Sequence, residues 1–335
     1  MAPAAPPGDP DFLGADAFSA LGDWPVLIVD AAAWQSPGVA IQAVVIGIDD
    51  AGVLPAADPA AFDVLVTTAA NAPAPWVSVP AARLADHRAQ LERAVRRCPA
   101  AATILCRVLR VVERLPFADA LHVESLAYST LLGGGEFGRW LAQRGPPPPS
   151  AEPGEPLVLV DRVADRVEIT LNHPASRNAM SAAMRDALYG ALANALDDPS
   201  QPDVLLKGAG RCFSTGGDLT EFGTAADLAQ AHVARTVRSS AALLDRLGPR
   251  ATVRLHGACI GSGLEVPAAA HRRLATGDAW FQLPELAMGL IPGAGGTASV
   301  TRAIGRHRAA WMVVTGQRIG AATARDWGLI DEIVA

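Results

Sequence analysis

The chain has 335 residues, 50% of them hydrophobic and 19% charged, with a formal net charge of −6 at pH 7. That apolar content excludes a disordered tail, and the acidic balance leaves no global basic surface for nucleic acid. The length suggests two or three domains. Lys207 is the only lysine, so arginine carries nearly all the positive charge. Cys98, Cys106, Cys212 and Cys259 form no CxxC pair and no short His/Cys cluster. They read as reduced core thiols of a cytoplasmic protein, and no metal site is expected. No apolar run is long enough to span a bilayer, and no basic start precedes an apolar stretch. Membrane insertion and export are therefore not expected.

In chain order, residues 1–144 predict an N-terminal α/β region. Its β runs are Val26-Leu27-Ile28-Val29, Val44-Val45-Ile46-Gly47-Ile48 and Val64-Leu65-Val66-Thr67. Residues 80–144 predict a helical segment of three amphipathic stretches, starting near Ala81, Ala100 and Ala118. Residues 145–156 are proline-rich and read as a linker. Residues 157–335 open on a hairpin, Leu157–Val160 and Val167–Leu171, turning at Ala164-Asp165-Arg166. A helix with Ser181 as N-cap follows, with Met184, Leu188, Leu192 and Leu196 on one face. Strands are expected at Asp203–Lys207, Thr252–His256, Arg273–Thr276 and Trp280–Gln282, and helix over most of Ala225–Leu247. Strand and helix alternate, which predicts an α/β fold with parallel strands.

Glycines cluster where strands end: Gly208–Gly210, Gly216-Gly217-Asp218, Gly261-Ser262-Gly263 and Gly293–Gly296. None of these four turns carries GxxxxGK[ST] or GxGxxG, so none reads as a phosphate cradle or as the turn of a dinucleotide-binding oxidoreductase. Ser262 lacks the GxSxG context of a nucleophile elbow. Glycine turns instead free backbone N–H groups, and two of them can grip a carbonyl oxygen as it becomes an oxyanion. Glu265 and Glu285 each stand among apolar neighbours, Leu264 and Val266 for one, Pro284 and Leu286 for the other. Such carboxyls should have raised pKa values, and two near one substrate can divide acid and base work.

Four stretches together resemble the crotonase, or enoyl-CoA hydratase/isomerase, superfamily over 157–335. Arg211-Cys-Phe-Ser-Thr-Gly-Gly-Asp-Leu219 is similar to its F-(S/C)-(A/S)-G-(A/G)-D-L motif. His256-Gly-Ala-Cys-Ile-Gly-Ser-Gly-Leu-Glu265 is similar to G-x-A-x-G-G-G-x-E, with Ser262 in place of a glycine. The run from Phe281 to Gly296 matches F-x-x-P-E-x-x-x-G-x-x-P-G-x-G-G, and Pro174 to Ala179 matches P-x-x-x-N-A. The resemblance implies a crotonase-like (ClpP/crotonase) stack of ββα units. It implies an oxyanion hole from the N–H groups of Gly217 and Ser262. Glu265 would activate water and Glu285 would protonate C2. Arg177, Ala179, Gly216, Asp218 and Gly293 would lie along the acyl-CoA. The expected activity is 2-enoyl-CoA hydration. Isomerase, hydrolase or cofactor-free dioxygenase chemistry, or a non-catalytic subunit, are the alternatives. No cofactor is implied beyond coenzyme A as part of the substrate. A homo-oligomer, trimer or hexamer, is implied.

Members of that family carry further helices after a segment like Trp327–Val334. Here residues 80–144 resemble those helices, notably from Ala120-Leu-His-Val-Glu124 to Arg144. The N-terminal region is then either a degenerate crotonase-like remnant that supplies the closing helices or an unrelated α/β domain joined by the linker.

Overall fold

The computed structural model describes residues 14–146 and 156–335. The N-terminal part holds strands β1 (Val26–Asp30), β2 (Val44–Asp49), β3 (Val64–Thr67) and β4 (Val77–Ser78). They form one parallel sheet in the order β1-β2-β3-β4. β2 and β3 are buried along their whole length, as near-continuous apolar runs require in a parallel sheet. Four helices follow: α1 (Leu84–Arg97), α2 (Pro99–Val112), α3 (Phe117–Leu132) and α4 (Gly135–Arg144). Sequence periodicity predicts three. The difference lies at Gly133-Gly134, where two glycines end α3 before Gly135 opens α4.

The C-terminal part opens with the hairpin β5 (Val158–Val163) and β6 (Arg166–Leu171), turning at Ala164, which has positive φ. Then come α5 (Ala182–Asp197), β7 (Asp203–Gly208), α6 (Leu228–Val237), α7 (Ser240–Leu247) and β8 (Ala251–Leu255). The expected single helix over 225–247 is two, because Ser239 caps α7 by accepting a hydrogen bond from Ala242 N. The chain continues through β9 (Ala258–Ile260), α8 (Ser262–Glu265), β10 (Arg272–Thr276) and β11 (Trp280–Gln282). It ends with α9 (Gly296–Ile304), α10 (Arg306–Thr315), β12 (Ile319–Gly320), α11 (Ala321–Trp327) and β13 (Glu332–Val334).

The main sheet has the order β13-β10-β8-β7-β6-β5, parallel except for the hairpin. A small second sheet, β12-β11-β9, stands beside it. Strands β4, β9, β12 and β13 have only two or three residues each, too short to show a period in sequence. Ser181 caps α5 by accepting from Met184 N, and Met184, Leu188 and Leu192 are buried as expected. The proline-rich linker lies mostly outside the described residues.

One continuous hydrophobic core contains residues from both parts. Its polar seam is the run Arg306-His307-Arg308 at the start of α10, all three buried. Arg306 donates to the carbonyls of Phe62 (2.7 Å) and Pro59 (2.6 Å). Arg308 donates to those of Trp76 (3.1 Å) and Ala72 (3.0 Å). His307 Nε2 lies 2.9 Å from the Pro59 carbonyl, so the ring carries its proton there. These groups satisfy loop carbonyls that burial would otherwise orphan.

Burial and the neighbouring Arg306 push the His307 pKa down to about 4. Asp63 opposes that shift, and Arg110 adds to it. The unfolded chain takes up the proton near pH 6.5, whereas the folded chain resists it down to about 4. Stability from this group is therefore complete above 6.5 and lost as pH falls toward 4, by about 3 kcal/mol. His307→Gln should flatten the decline of the urea midpoint between pH 6.5 and 4.5. An equally steep decline in the variant would contradict this.

Candidate active site

Two glycine turns meet at the site. Gly216 has φ +89°, and a Cβ there would lie 2.7 Å from the Ile260 carbonyl and 3.6 Å from the Gly261 Cα. Gly261 has φ +50° and ψ −125°, conformations that side chains resist. The two turns are stitched by Ser214 N to Ala258 O (3.2 Å) and Ile260 N to Ser214 O (3.1 Å). Gly217 and Ser262, the first residue of α8, line the same cavity. Among the described residues neither N–H has an acceptor within the protein.

Asn178 holds the first turn in place. Its Nδ2 donates to the carbonyls of Ala209 (2.9 Å), Cys212 (3.1 Å) and Phe213 (3.0 Å), and its Oδ1 accepts from His173 N (2.8 Å). Its own carbonyl accepts from Ser214 Oγ (2.7 Å), which in turn accepts from Gly216 N (3.2 Å). The P-x-x-x-N-A stretch thus acts through its buried asparagine.

Glu265 ends α8 and is 3% exposed. Its Oε2 accepts from Ala294 N (2.7 Å) and Gly296 N (3.0 Å), at the N-terminus of α9. Gly296 must be glycine for this approach: a Cβ there would sit 2.6 Å from Glu265 Cγ. Glu285 follows Pro284 in a 3-10 turn and is 6% exposed. Its Oε2 is buried and has no partner among the described residues. The two carboxyls converge beside Gly261. A Cβ at Gly261 would lie 2.8 Å from Glu285 Oε1 and 4.0 Å from Glu265 Oε1.

Burial raises both pKa values. Glu265 is pushed up to about 7, held from going higher by the N–H groups of Ala294, Gly296 and Gly293. Glu285 is held well above the ordinary carboxylate range, through burial first and then the nearby Glu265, with Glu124 adding to it. One carboxyl is furnished for a charge and the other is not. That asymmetry is how neighbouring carboxyls take opposite acid and base roles.

Both open into a cavity of about 810 Å³. Gly216, Gly217, Asp218, Ser262 and Gly293 line it. Asp218 turns its side chain to Thr220 N and Oγ1. Arg177 and Ala179 do not line it. Arg177 is exposed, and its carbonyl accepts from Thr215 N (3.1 Å). The rest of the wall includes residues the sequence reading did not place there. Leu121, Glu124, Tyr128 and Phe137 come from α3 and α4, Met288 from the turn after Glu285, and Arg235 from α6. The signal for Glu124 was present in the Ala120–Glu124 similarity, without a role attached.

All four cysteines are buried free thiols. Among the described residues no cluster of three His, Cys, Asp or Glu side chains is placed to hold a metal ion. Nor is any helix there long and apolar enough to cross a membrane.

A sequence profile described as enoyl-CoA hydratase/isomerase matches residues 164–335. This chain belongs to the enoyl-CoA hydratase/isomerase family. Among its relatives in that family is YngF of Bacillus subtilis, named as an enoyl-CoA hydratase/isomerase. It is 35% identical over 183 residues, which are 54% of this chain and 70% of that protein. The 2,3-dehydroadipyl-CoA hydratase of Escherichia coli is 31% identical over 180 residues, 52% of this chain and 68% of that one. The mevalonyl-coenzyme A hydratase of Beauveria bassiana is 33% identical over 174 residues, 50% of this chain and 62% of that one. The chain thus spans about two thirds of the length of these family relatives. The crystal structure of an enoyl-CoA hydratase from Shewanella pealeana superposes with a TM-score of 0.50 at 25% identity. It covers 53% of this chain and 68% of that one, and it shows the same mixed α/β fold.

Proposed function

We propose that this protein is a 2-enoyl-CoA hydratase, adding water reversibly across the C2–C3 double bond of an acyl-CoA thioester. The observation that carries the reading is the pair of buried carboxyls, one anchored by two N–H groups and the other with an Oε2 that has no partner among the described residues. The thioester oxygen sits against the N–H groups of Gly217 and Ser262. Each such donor is worth about 3 kcal/mol of barrier as negative charge develops on that oxygen. Glu265 Oε1 takes a proton from water, whose oxygen attacks C3. The electron pair moves to the thioester oxygen and returns as Glu285 delivers a proton to C2. Both carboxyls converge on the position that a Gly261 Cβ would take, and the reading has them deliver water and proton to one face of the double bond, a syn addition.

Coenzyme A enters only as part of the substrate. Arg177 and Ala179 are retained as contacts to its nucleotide end, outside the cavity. Helices α3 and α4 do the closing work that later helices do in relatives, and their placement against the cavity supports this reading of the N-terminal region. A trimer or hexamer and a cytoplasmic location complete the proposal. Light scattering of the purified chain tests the first of these.

The activity test is loss of the conjugated enoyl-thioester absorbance with short, medium and aryl 2-enoyl-CoAs. Rapid loss with a 3-hydroxyacyl-CoA as product supports hydration. Loss with release of free coenzyme A or with a moved double bond, or binding without loss, would point to the sister chemistries, and no binding would point to a non-catalytic subunit. The pH profile has a predicted sign. Glu265 works ionised, so turnover rises with pH through about 7. Glu285 works protonated, so turnover falls again only at higher pH, where its raised pKa is passed. A profile flat from pH 5.5 to 8 would contradict the assignment.

A further inference from the structure

Glu124 lies on α3, in the N-terminal part, and is 2% exposed. Both of its oxygens are occupied. Oε1 accepts from Gly295 N (2.6 Å), and Oε2 accepts from Thr297 N (2.7 Å) and Thr297 Oγ1 (2.7 Å). Glu265 takes the N–H groups of Ala294 and Gly296. Four consecutive backbone donors, 294 to 297, therefore alternate between two carboxyls. Gly295 makes the alternation feasible: its φ of +111° reverses the chain there, and a Cβ would lie 2.9 Å from that of Ala241. Among the described residues no cation lies in salt-bridge range of Glu124, so these donors are its stabilisation. Three of the roughly four lone-pair sites of the Glu124 carboxylate are thus taken up by the 294–297 segment.

We propose that Glu124 is a positioning residue for Glu265. By fixing Gly295 and Thr297 it aims the Ala294 and Gly296 N–H groups at Glu265 Oε2, which leaves Oε1 turned to the cavity for water. The N-terminal part thereby sets the geometry of the general base. This inference rests on the reading of Glu265 as the base in hydration.

The test compares two reactions at one site. Hydration of a 2-enoyl-CoA needs Glu265. Exchange of the C2 hydrogen of a saturated acyl-CoA with deuterated water needs only the oxyanion donors and Glu285. Glu124→Gln keeps the shape but puts an amide NH2 against one backbone N–H. It should lower kcat for hydration about tenfold or more, with KM changed less than about twofold and C2 exchange retained. Thr297→Val removes one donor to Glu124 while keeping the side-chain shape. It should lower hydration in the same direction by about threefold, and it serves if Glu124→Gln fails to fold. Unchanged hydration in a folded variant would overturn the proposal. So would a parallel loss of hydration and exchange, which marks a merely structural role. A wild-type protein that exchanges C2 hydrogen but never hydrates would instead reject the reading of Glu265 as base, and this inference with it.

Discussion

Glu265→Gln and Glu285→Gln will each cut hydration of a 2-enoyl-CoA by about a hundredfold or more, with KM nearly unchanged. Glutamine fills the same volume, so neither variant opens a hole in the cavity wall. In Glu265→Gln the side-chain carbonyl can still accept from Ala294 and Gly296 N–H, which preserves the anchor. What disappears is a group able to take a proton from water. In Glu285→Gln the lost function is delivery of a proton to C2, from an oxygen that has no partner among the described residues. Both side chains act in one concerted passage, so the double variant should be little worse than the poorer single variant. The two also differ. Glu265→Gln should retain C2 hydrogen exchange on a saturated acyl-CoA, whereas Glu285→Gln should lose it. Full hydration activity in either variant would remove that residue from the mechanism.

Asn178→Ala will cost about 3–5 kcal/mol of stability. The substitution strips partners from three carbonyls and one N–H, in a segment where Asn178 itself is fully buried. Each buried backbone group left without a partner costs about 1–3 kcal/mol. Asn178 also sits at φ +53°, where alanine is strained and asparagine tolerated. Asn178→Asp should be no better. A carboxylate oxygen would face the carbonyls of Ala209, Cys212 and Phe213, and acceptors repel one another. Because Ser214 and Gly216 hang from the same knot, the surviving folded fraction should also bind CoA thioesters poorly. Urea midpoints of the two variants check the first claim. A midpoint within experimental error of wild type would show that the knot is dispensable.

The site was legible in sequence where chemistry demands a residue type at a fixed spacing. Glu265 and Glu285 stood out as acids in apolar runs, and Gly217 and Ser262 stood in turns that could free an N–H. All four line one cavity. What sequence concealed depended on distance along the chain. Glu124 meets Gly295 and Thr297 from 171 and 173 residues away. No local pattern specifies such a partner. Asn178 was visible within its motif, yet its neighbours Arg177 and Ala179 drew the functional reading, because a buried amide knot leaves no periodic trace. Long elements such as α5 announced themselves through a four-residue apolar repeat and a serine cap. Short strands such as β9 and β12 exist only because the main fold offers them an edge, so their residues carry no signal of their own.

The central claim is that this cavity adds water across the double bond of an enoyl-thioester. The most direct measurement is to incubate the protein with a 2-enoyl-CoA in deuterated water enriched in oxygen-18, and to read the product by mass spectrometry and NMR. The account predicts a 3-hydroxyacyl-CoA with one oxygen-18 at C3 and one deuterium at C2, both delivered to the same face. Oxygen-18 appearing in a free carboxylate, or a moved double bond without oxygen-18, would contradict it and identify a hydrolase or an isomerase instead.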